Sequence, residues 1–260
     1  MRNSVLRIAC SIAVAAGVTG QASATDSRKN FDVTFKECTE FVGVGSVDGA
    51  KADALVPNRF KIASFYGIPG QSSIVVRVSH CGSIAVDGRH GKPGTVAHIG
   101  INIVAPVEGA NINNYTIAYA SDHQQLVAKL QNAGIPAEFD PDLMYEAPRA
   151  GVSKGRVFAA INTEHSPQWL VKGTFDGPFK PFPGAEPFVA NWWRAGPNFA
   201  IKMETTIDSI SFLDASEVSF FTSRHNIIGN LIGGHKIGTF DELPVRGVFG
   251  NAEMKVTVQK

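Results

Sequence analysis

Apolar and polar residues alternate one by one in several segments, and this pattern constrains the fold more than any other feature. From Thr95 to Val104, alanine and isoleucine fill every second position, and residues such as His98 and Asn102 lie between them. The same alternation occurs from Phe199 to Ile207 and from Ala252 to Val258. Successive side chains of a strand point to opposite faces, so each segment predicts a strand with two unlike faces.

Helical patterns are few in comparison. One helix is predicted to follow the strand at Tyr115–Tyr119, with Ser121 or Asp122 as its cap and Gly134 at its end. A second short helix is predicted at Asn226–Ile232. Many short strands, one or two short helices and frequent Gly and Pro turns predict a mainly β (α+β) fold, either a closed antiparallel barrel or a sandwich.

The first 24 residues have the features of a secretory signal peptide. Two arginines precede an apolar run at Ile8–Val18, and Ala22, Ser23 and Ala24 form a small-residue cleavage site. The apolar run is too short to span a membrane. We therefore expect residues 1–24 to be removed, and the remainder to form a single secreted or periplasmic domain, residues 25–260, without a membrane partner.

The charge balance and the missing motifs limit the partners. Lys and Arg number 24 against 23 Asp and Glu, and no basic run occurs, which argues against nucleic acid as a partner. The seven histidines form neither His-x-His nor His-Glu-x-x-His, so the sequence indicates no metal site. It also lacks a Gly-x-Ser-x-Gly elbow. We expect a small-molecule ligand and no cofactor.

Cys38 and Cys81 are the cysteines that follow the signal segment. In an oxidising compartment an isolated pair usually forms one disulfide. Two alternatives to this disulfide remain open at this point, namely two free buried thiols, or a catalytic cysteine beside His80.

Several segments resemble the acetoacetate decarboxylase-like superfamily. Ala54–Ile62 is similar to the family's Val-Pro element, and Val75–Ser79 to its Val-Arg strand. The strand and helix within Asn113–Gly134 match in order, and Asn198–Met203 is followed by Phe240–Gly247, which resembles the family's closing Asp-Leu-Pro-Val segment. The resemblance implies a β-barrel or cone around an internal cavity, a small-molecule substrate and a tendency to form homo-oligomers.

The same resemblance argues against a Schiff base. The family's decarboxylases use a lysine nucleophile whose pKa is lowered by a second lysine beside it. Those positions fall at Gln131 and Asn132 in this chain, and Lys129 flanks the core on the predicted helix, where its stem covers apolar surface. Ser79 stands where the decarboxylases carry an acid. We therefore do not expect a Schiff-base decarboxylase.

The predicted catalytic residues are Arg77, His98 and Asn102. His98 and Asn102 share one face of a strand, where His98 would act as a general acid or base. Arg77 lies in an otherwise apolar strand and would hold a carboxylate or an enolate. The structural alternatives are a hydrogen-bonded or solvent-facing histidine and an arginine that reaches the barrel rim.

Four further residues are candidates for substrate binding, namely Tyr115, Trp192, Trp193 and Glu204. Adjacent strand residues point to opposite faces, so at most one of the two tryptophans can face a cavity. The alternative for the aromatic residues is a role as core anchors.

These residues lead to two hypotheses about function. The first is an exported barrel that binds a small, largely apolar molecule with a carboxylate or another oxyanion, and acts on it as a cofactor-free lyase, decarboxylase-like or proton-transfer enzyme. The second is a non-catalytic small-molecule binding protein on the same barrel. A structural protein whose barrel is filled with side chains is a third, plainer alternative.

Overall fold

The structure is a computed structural model of the chain. It describes residues 29–148, 152–161, 167–182, 187–237, 240 and 242–259. The predicted signal peptide, residues 1–24, lies outside the described residues.

The chain folds mainly into strands, joined by short helices. In chain order the elements are β1 (Phe31–Asp48), α1 (Gly49–Asp53), a 3-10 turn (Phe65–Gly67), β2 (Gln71–Val86), β3 (Lys92–Asn102), β4 (Ile112–Ser121), α2 (Gln124–Ala133), β5 (Ala137–Phe139), β6 (Met144–Glu146), β7 (Lys154–Ile161), β8 (Trp169–Asp176), β9 (Lys180–Pro181), β10 (Phe188–Ala195), β11 (Ala200–Ile207), β12 (Ser211–Thr222), α3 (Ile227–Ile232), β13 (Lys236–Ile237) and β14 (Glu242–Gln259).

Seven of the described strands close into a barrel. Their order is β1, β2, β3, β4, β10, β11 and β14, and pairing of β14 with β1 closes the ring. All neighbours are antiparallel except β4 and β10, which are parallel. The expectation of an antiparallel barrel is therefore mostly right, and the barrel is mixed. The chain leaves β4 through α2 and a second sheet before it returns in β10, and such a long crossover permits parallel pairing.

The second sheet packs on the outside of the barrel. Strands β6, β7, β8 and β12 continue from β14. Their buried side chains, such as Val157, Phe175 and Phe220, join Ile74 and Ile99 from the outer face of the barrel in one apolar cluster. A separate apolar cluster fills much of the barrel interior. These two clusters explain why β2 and β3 are apolar on both faces over part of their length.

Helix α2 joins the interior cluster. Leu126, Val127 and Leu130 pack with residues that point inward from the strands. Its cap is His123, whose Nδ1 accepts a hydrogen bond from the Leu126 amide at 3.2 Å, so the predicted caps, Ser121 and Asp122, are wrong. These two side chains make hydrogen bonds to β3 instead. The Asp122 carboxylate accepts a hydrogen bond from the Thr95 amide, and the Ser121 hydroxyl donates one to the Thr95 carbonyl. The helix ends at Gly134 in the left-handed conformation.

Cys38 and Cys81 form a disulfide inside the barrel wall. The two residues lie directly opposite each other on β1 and β2, and their sulfurs are 2.06 Å apart. Both are buried. The bond leaves no thiol for catalysis at either position, so the alternatives of free thiols and of a catalytic cysteine beside His80 are wrong.

None of the helices in the described ranges is long and apolar enough to cross a bilayer.

Candidate functional site

A cavity of about 570 Å³ lies within the barrel, next to β9 and β12. Its lining is mainly apolar and includes Val42, Val44, Val75, Ile112, Pro181, Phe182, Phe188, Ala190, Trp192, Ile207, Phe212 and Val245. The polar lining residues are Glu40, Arg77, Asn102, Asn111, Lys180 and Thr205. Apolar walls with a few polar groups are typical of small-molecule sites. The described part of the barrel thus keeps an internal cavity, whereas the third alternative expects a barrel filled with side chains.

An ion pair is built into the cavity wall. Arg77 Nε on β2 donates to Glu40 Oε2 on β1 at 2.8 Å, and the Ser79 hydroxyl donates to the same oxygen at 3.1 Å. The Glu40 side chain is 4% exposed and that of Arg77 is 16% exposed. Ser79 lies directly opposite Glu40 across the two strands. Glu40 therefore places a carboxylate beside Ser79 from the neighbouring strand.

Both partners of this pair keep hydrogen-bonding capacity. Among the described residues, Glu40 Oε1 and the two Nη groups of Arg77 make no hydrogen bond. A guanidinium binds a carboxylate well through two parallel N–H donors, and the Nη groups can still take part in such an interaction. Glu40 is not among the site residues predicted from the sequence, although a charged residue beside Phe41 and Val42 in a β-rich segment is a usable signal.

His98 is buried and does not line the cavity. Its ring stacks on Trp192 with 3.6 Å between centroids, and its Nε2 is 2.8 Å from the Thr116 hydroxyl. Gly100 allows this stacking, because a Cβ at that position would come within 2.7 Å of the Trp192 ring. His98 is therefore not among the residues that line the cavity, whereas Trp192, on which it stacks, does line it. Contact of His98 with a ligand as a general acid or base stays a prediction.

The pKa of His98 is lowered well below its ordinary value of 6.5, first by burial and then by the positive charge of Arg77. The folded protein therefore resists protonation at this position, whereas the unfolded chain takes up a proton below about pH 6.5. We expect the free energy of unfolding to fall by up to about 1.4 kcal/mol per pH unit below pH 6.5 on account of this residue.

The measurement is urea unfolding between pH 7 and pH 5 for the parent and for His98→Gln. Other buried groups, including His123, contribute to both proteins, so the difference in slope isolates His98. Equal slopes in the two proteins would contradict a neutral, buried imidazole.

A β-bulge changes the predicted face of Tyr115. Ile99 pairs with Ala118 and Gly100 pairs with Thr116, so Ile117 is an extra residue on β4. Tyr119 consequently points inward against His98, whereas Tyr115 points outward and packs on Phe60. Tyr115 therefore does not line the cavity, because the bulge breaks the simple alternation, and its role in substrate binding stays a prediction.

Trp193 and Glu204 also lie outside the cavity. Trp192 lines the cavity, and its neighbour Trp193 points to the outer face, where the indole donates to Asn113 Oδ1. Glu204 lies on the outer face of β11 and pairs with Lys202 at 2.7 Å. Strand parity therefore places Trp193 and Glu204 away from the cavity, and their role in substrate binding stays a prediction. Asn102 does line the cavity.

Most of the lysines that the structure describes do not line the cavity. Lys129 forms an ion pair with Asp87 at 2.6 Å, and this contact helps to hold the pKa of Asp87 below its ordinary value against the opposing effect of burial. Gln131 and Asn132 are exposed on α2. Among the lysines that the structure describes, Lys180 is the one that lines the cavity. Within the same ranges, no group of three His, Cys, Asp or Glu side chains is placed to hold a metal ion.

Comparison with protein-family models and with curated protein sequences finds no match. Solved structures do match. An acetoacetate decarboxylase from Legionella pneumophila aligns with a TM-score of 0.59 and 11% identity, covering 88% of this chain and 87% of that chain. An enduracididine biosynthesis enzyme, MppR, in complex with pyruvate aligns with a TM-score of 0.53 and 12% identity, covering 88% of each chain.

An acetoacetate decarboxylase-like enzyme from Sphingomonas wittichii RW1 aligns over 93% of this chain and 96% of that chain, with a TM-score of 0.51 and 10% identity. Identities this low are evidence of fold and not of activity. The alignments cover 88% to 93% of this chain. The chain therefore has the acetoacetate decarboxylase-like fold, as a distant variant of it.

Proposed function

We propose that the barrel binds a small, largely apolar molecule that carries a carboxylate or another oxyanion. The observation that carries this proposal is the position of Arg77, a cation in the wall of a mainly apolar cavity. Arg77 would anchor the acid group through its Nη atoms, and the valine, isoleucine and aromatic side chains would surround the rest of the ligand.

The orientation of Arg77 supports an anionic ligand. Arg77 brings a positive charge to the cavity lining, and Glu40 brings a negative one. Glu40 also accepts a hydrogen bond from Arg77 Nε. This contact holds the guanidinium in place and fixes the direction of its Nη donors. An arginine whose orientation is fixed loses less conformational entropy when a ligand binds.

Isothermal titration with octanoate and octanamide tests this proposal. The two probes have the same length, and only octanoate is charged at neutral pH. We expect octanoate to bind about tenfold more tightly or better, because hydrogen bonds to charged groups are stronger than those between neutral groups. Lys202→Met, on the outside of the barrel, is the matched control and should retain the preference. Equal affinities for the two probes, or no binding of either, would overturn the proposal.

Cofactor-free chemistry is a second candidate function, favoured by Glu40 Oε1 beside the cavity, which makes no hydrogen bond to the residues that the structure describes. In this scheme Arg77 stabilises a developing enolate, and Glu40 moves a proton to or from the neighbouring carbon without a Schiff base. Incubation with 3-oxooctanoate should then release carbon dioxide and 2-heptanone faster with the parent than with Glu40→Gln/Arg77→Met. Equal rates would leave binding as the function, and a borohydride-trapped lysine adduct would contradict the absence of a Schiff base.

Export belongs to the same proposal. The disulfide between Cys38 and Cys81 is compatible with an oxidising compartment. We expect removal of residues 1–24, so the intact mass of protein recovered from the periplasm or medium should correspond to a start at Thr25. A homo-oligomer is also expected, which light scattering of the purified mature protein tests.

A further inference from the structure

The lining of the cavity is aliphatic on the strands that carry the ion pair and aromatic elsewhere. Strands β1, β2 and β14 contribute Val42, Val44, Val75 and Val245, and the first two of these strands also carry Glu40 and Arg77. All four aromatic lining residues come from other elements, namely Phe182 after β9, Phe188 and Trp192 on β10, and Phe212 on β12. The aromatic surface is therefore concentrated in one part of the cavity.

Three of these rings, those of Phe182, Phe188 and Phe212, form an aromatic corner. Phe182 packs against Phe188 with 4.9 Å between ring centroids and 81° between ring planes, and against Phe212 at 5.8 Å and 69°. The Phe182 amide donates a hydrogen bond to the Ile210 carbonyl at 3.0 Å, which holds this residue beside β12. All three residues line the cavity and are only partly buried. Rings at such angles offer a further ring both electron-rich faces and electron-poor edges.

The aromatic corner lies close to the acid anchor. Phe212 pairs with Gly247 on β14, and Gly247 pairs with Glu40 on β1. Neighbouring strands are about 4.8 Å apart, so the Cα atoms of Glu40 and Phe212 are about 10 Å apart. Gly247 has no side chain to separate them, and a Cβ there would come within 2.9 Å of Glu40 Cγ. One small ligand can therefore reach both Arg77, which Glu40 holds, and the aromatic corner.

We infer that the ligand is an arylalkanoic acid, whose carboxylate binds Arg77 and whose aromatic ring packs in the aromatic corner. This inference rests on the proposed function, because it assumes the acid anchor and adds the class of the ligand's apolar part. Edge-to-face and offset aromatic pairs gain free energy beyond that of burying apolar area. A saturated group of the same size gains only the burial. The aromatic corner therefore favours an aryl group over an alkyl group.

Isothermal titration with 4-phenylbutanoate, 4-cyclohexylbutanoate and octanoate tests this inference. The two ring acids have the same spacer and the same number of carbon atoms, and only the first is aromatic. We expect 4-phenylbutanoate to bind the parent about threefold more tightly than 4-cyclohexylbutanoate, or better. Burial alone predicts the opposite order, because the cyclohexyl group carries more hydrogen atoms and is the more hydrophobic of the two.

Two variants locate the ring of the ligand. Phe212→Leu removes one ring of the aromatic corner and keeps an apolar side chain, so the preference for 4-phenylbutanoate should fall by about twofold or more. Phe221→Leu, on the same strand, is the matched control and should keep the preference, because Phe221 does not line the cavity and its ring lies near Lys172 and Lys236. Phe188→Leu replaces Phe212→Leu if the latter does not fold. The ratio of two affinities measured on one variant is independent of the fraction that is folded.

The three probes separate this inference from the proposed function. Equal affinities of the two ring acids, or tighter binding of 4-cyclohexylbutanoate, would overturn the inference, since the corner would then act only as apolar surface. An unchanged preference in Phe212→Leu, or in the Phe188→Leu that replaces it, would also overturn it. Binding of octanoate without either ring acid would overturn the inference alone. Failure of all three probes to bind would overturn it together with the proposed function.

Discussion

Replacing Arg77 by methionine is expected to lower the free energy of unfolding by about 3 kcal/mol. The substitution leaves the Glu40 carboxylate in a wall where it is 4% exposed, and the Ser79 hydroxyl is then its remaining donor among the described residues. Breaking a buried ion pair by removing one partner costs about 3–5 kcal/mol, and the partial exposure of Arg77 places this case near the lower end. Urea unfolding of the parent and of Arg77→Met measures the loss.

The double variant Glu40→Gln/Arg77→Met tests the cause of that loss. Glutamine keeps an oxygen for the Ser79 hydroxyl and removes the uncompensated charge, so most of the lost stability should return. If the double variant is as unstable as Arg77→Met alone, then lost packing of the arginine stem is responsible, and the ion-pair explanation is wrong.

Removing the disulfide should have an effect of similar size. The bond between Cys38 and Cys81 closes a loop with a sequence separation of 43 residues. Its entropic restriction of the unfolded chain is worth about 4 kcal/mol. We therefore expect Cys38→Ala/Cys81→Ala to unfold at a much lower urea concentration than the oxidised parent.

The reduced parent is the control for this experiment. It keeps both sulfur atoms in the barrel wall, where the two residues are buried, and lacks only the bond between them. An equal loss in the reduced parent and in the alanine variant assigns the effect to the covalent link. A larger loss in the alanine variant measures the packing of the two sulfurs in addition. Unfolding of the reduced parent at the same urea concentration as the oxidised protein would contradict a structural role for the bond.

Strand periodicity was enough to predict the mainly β fold. The alternation in β3, β11 and β14 reflects real inner and outer faces, and it correctly limited the cavity to one of Trp192 and Trp193. The short helices α2 and α3 end at Gly134 and Gly233, which adopt the left-handed conformation that favours glycine. These features are local, so the sequence is sufficient to predict them.

The errors arise where the outcome depends on pairing between strands. The extra residue Ile117 in β4 is invisible to a periodicity argument, and it moves Tyr115 to the outer face. His98 lies on the predicted face, but the ring of Trp192 from another strand covers it. Glu40 acquires its importance only because β1 places it opposite Ser79 and near Arg77. Such cross-strand relationships require the register, which one sequence alone does not provide.

A crystal structure of the protein with 8-bromooctanoate tests the central claim most directly. The bromine marks the far end of the ligand by its anomalous signal. We expect the carboxylate within hydrogen-bond distance of the Arg77 Nη atoms, and the bromine inside the barrel cavity. A carboxylate bound to Lys180 with the alkyl chain outside the barrel, or a bromine signal only on the outer surface, would contradict the claim that this barrel encloses a small acid.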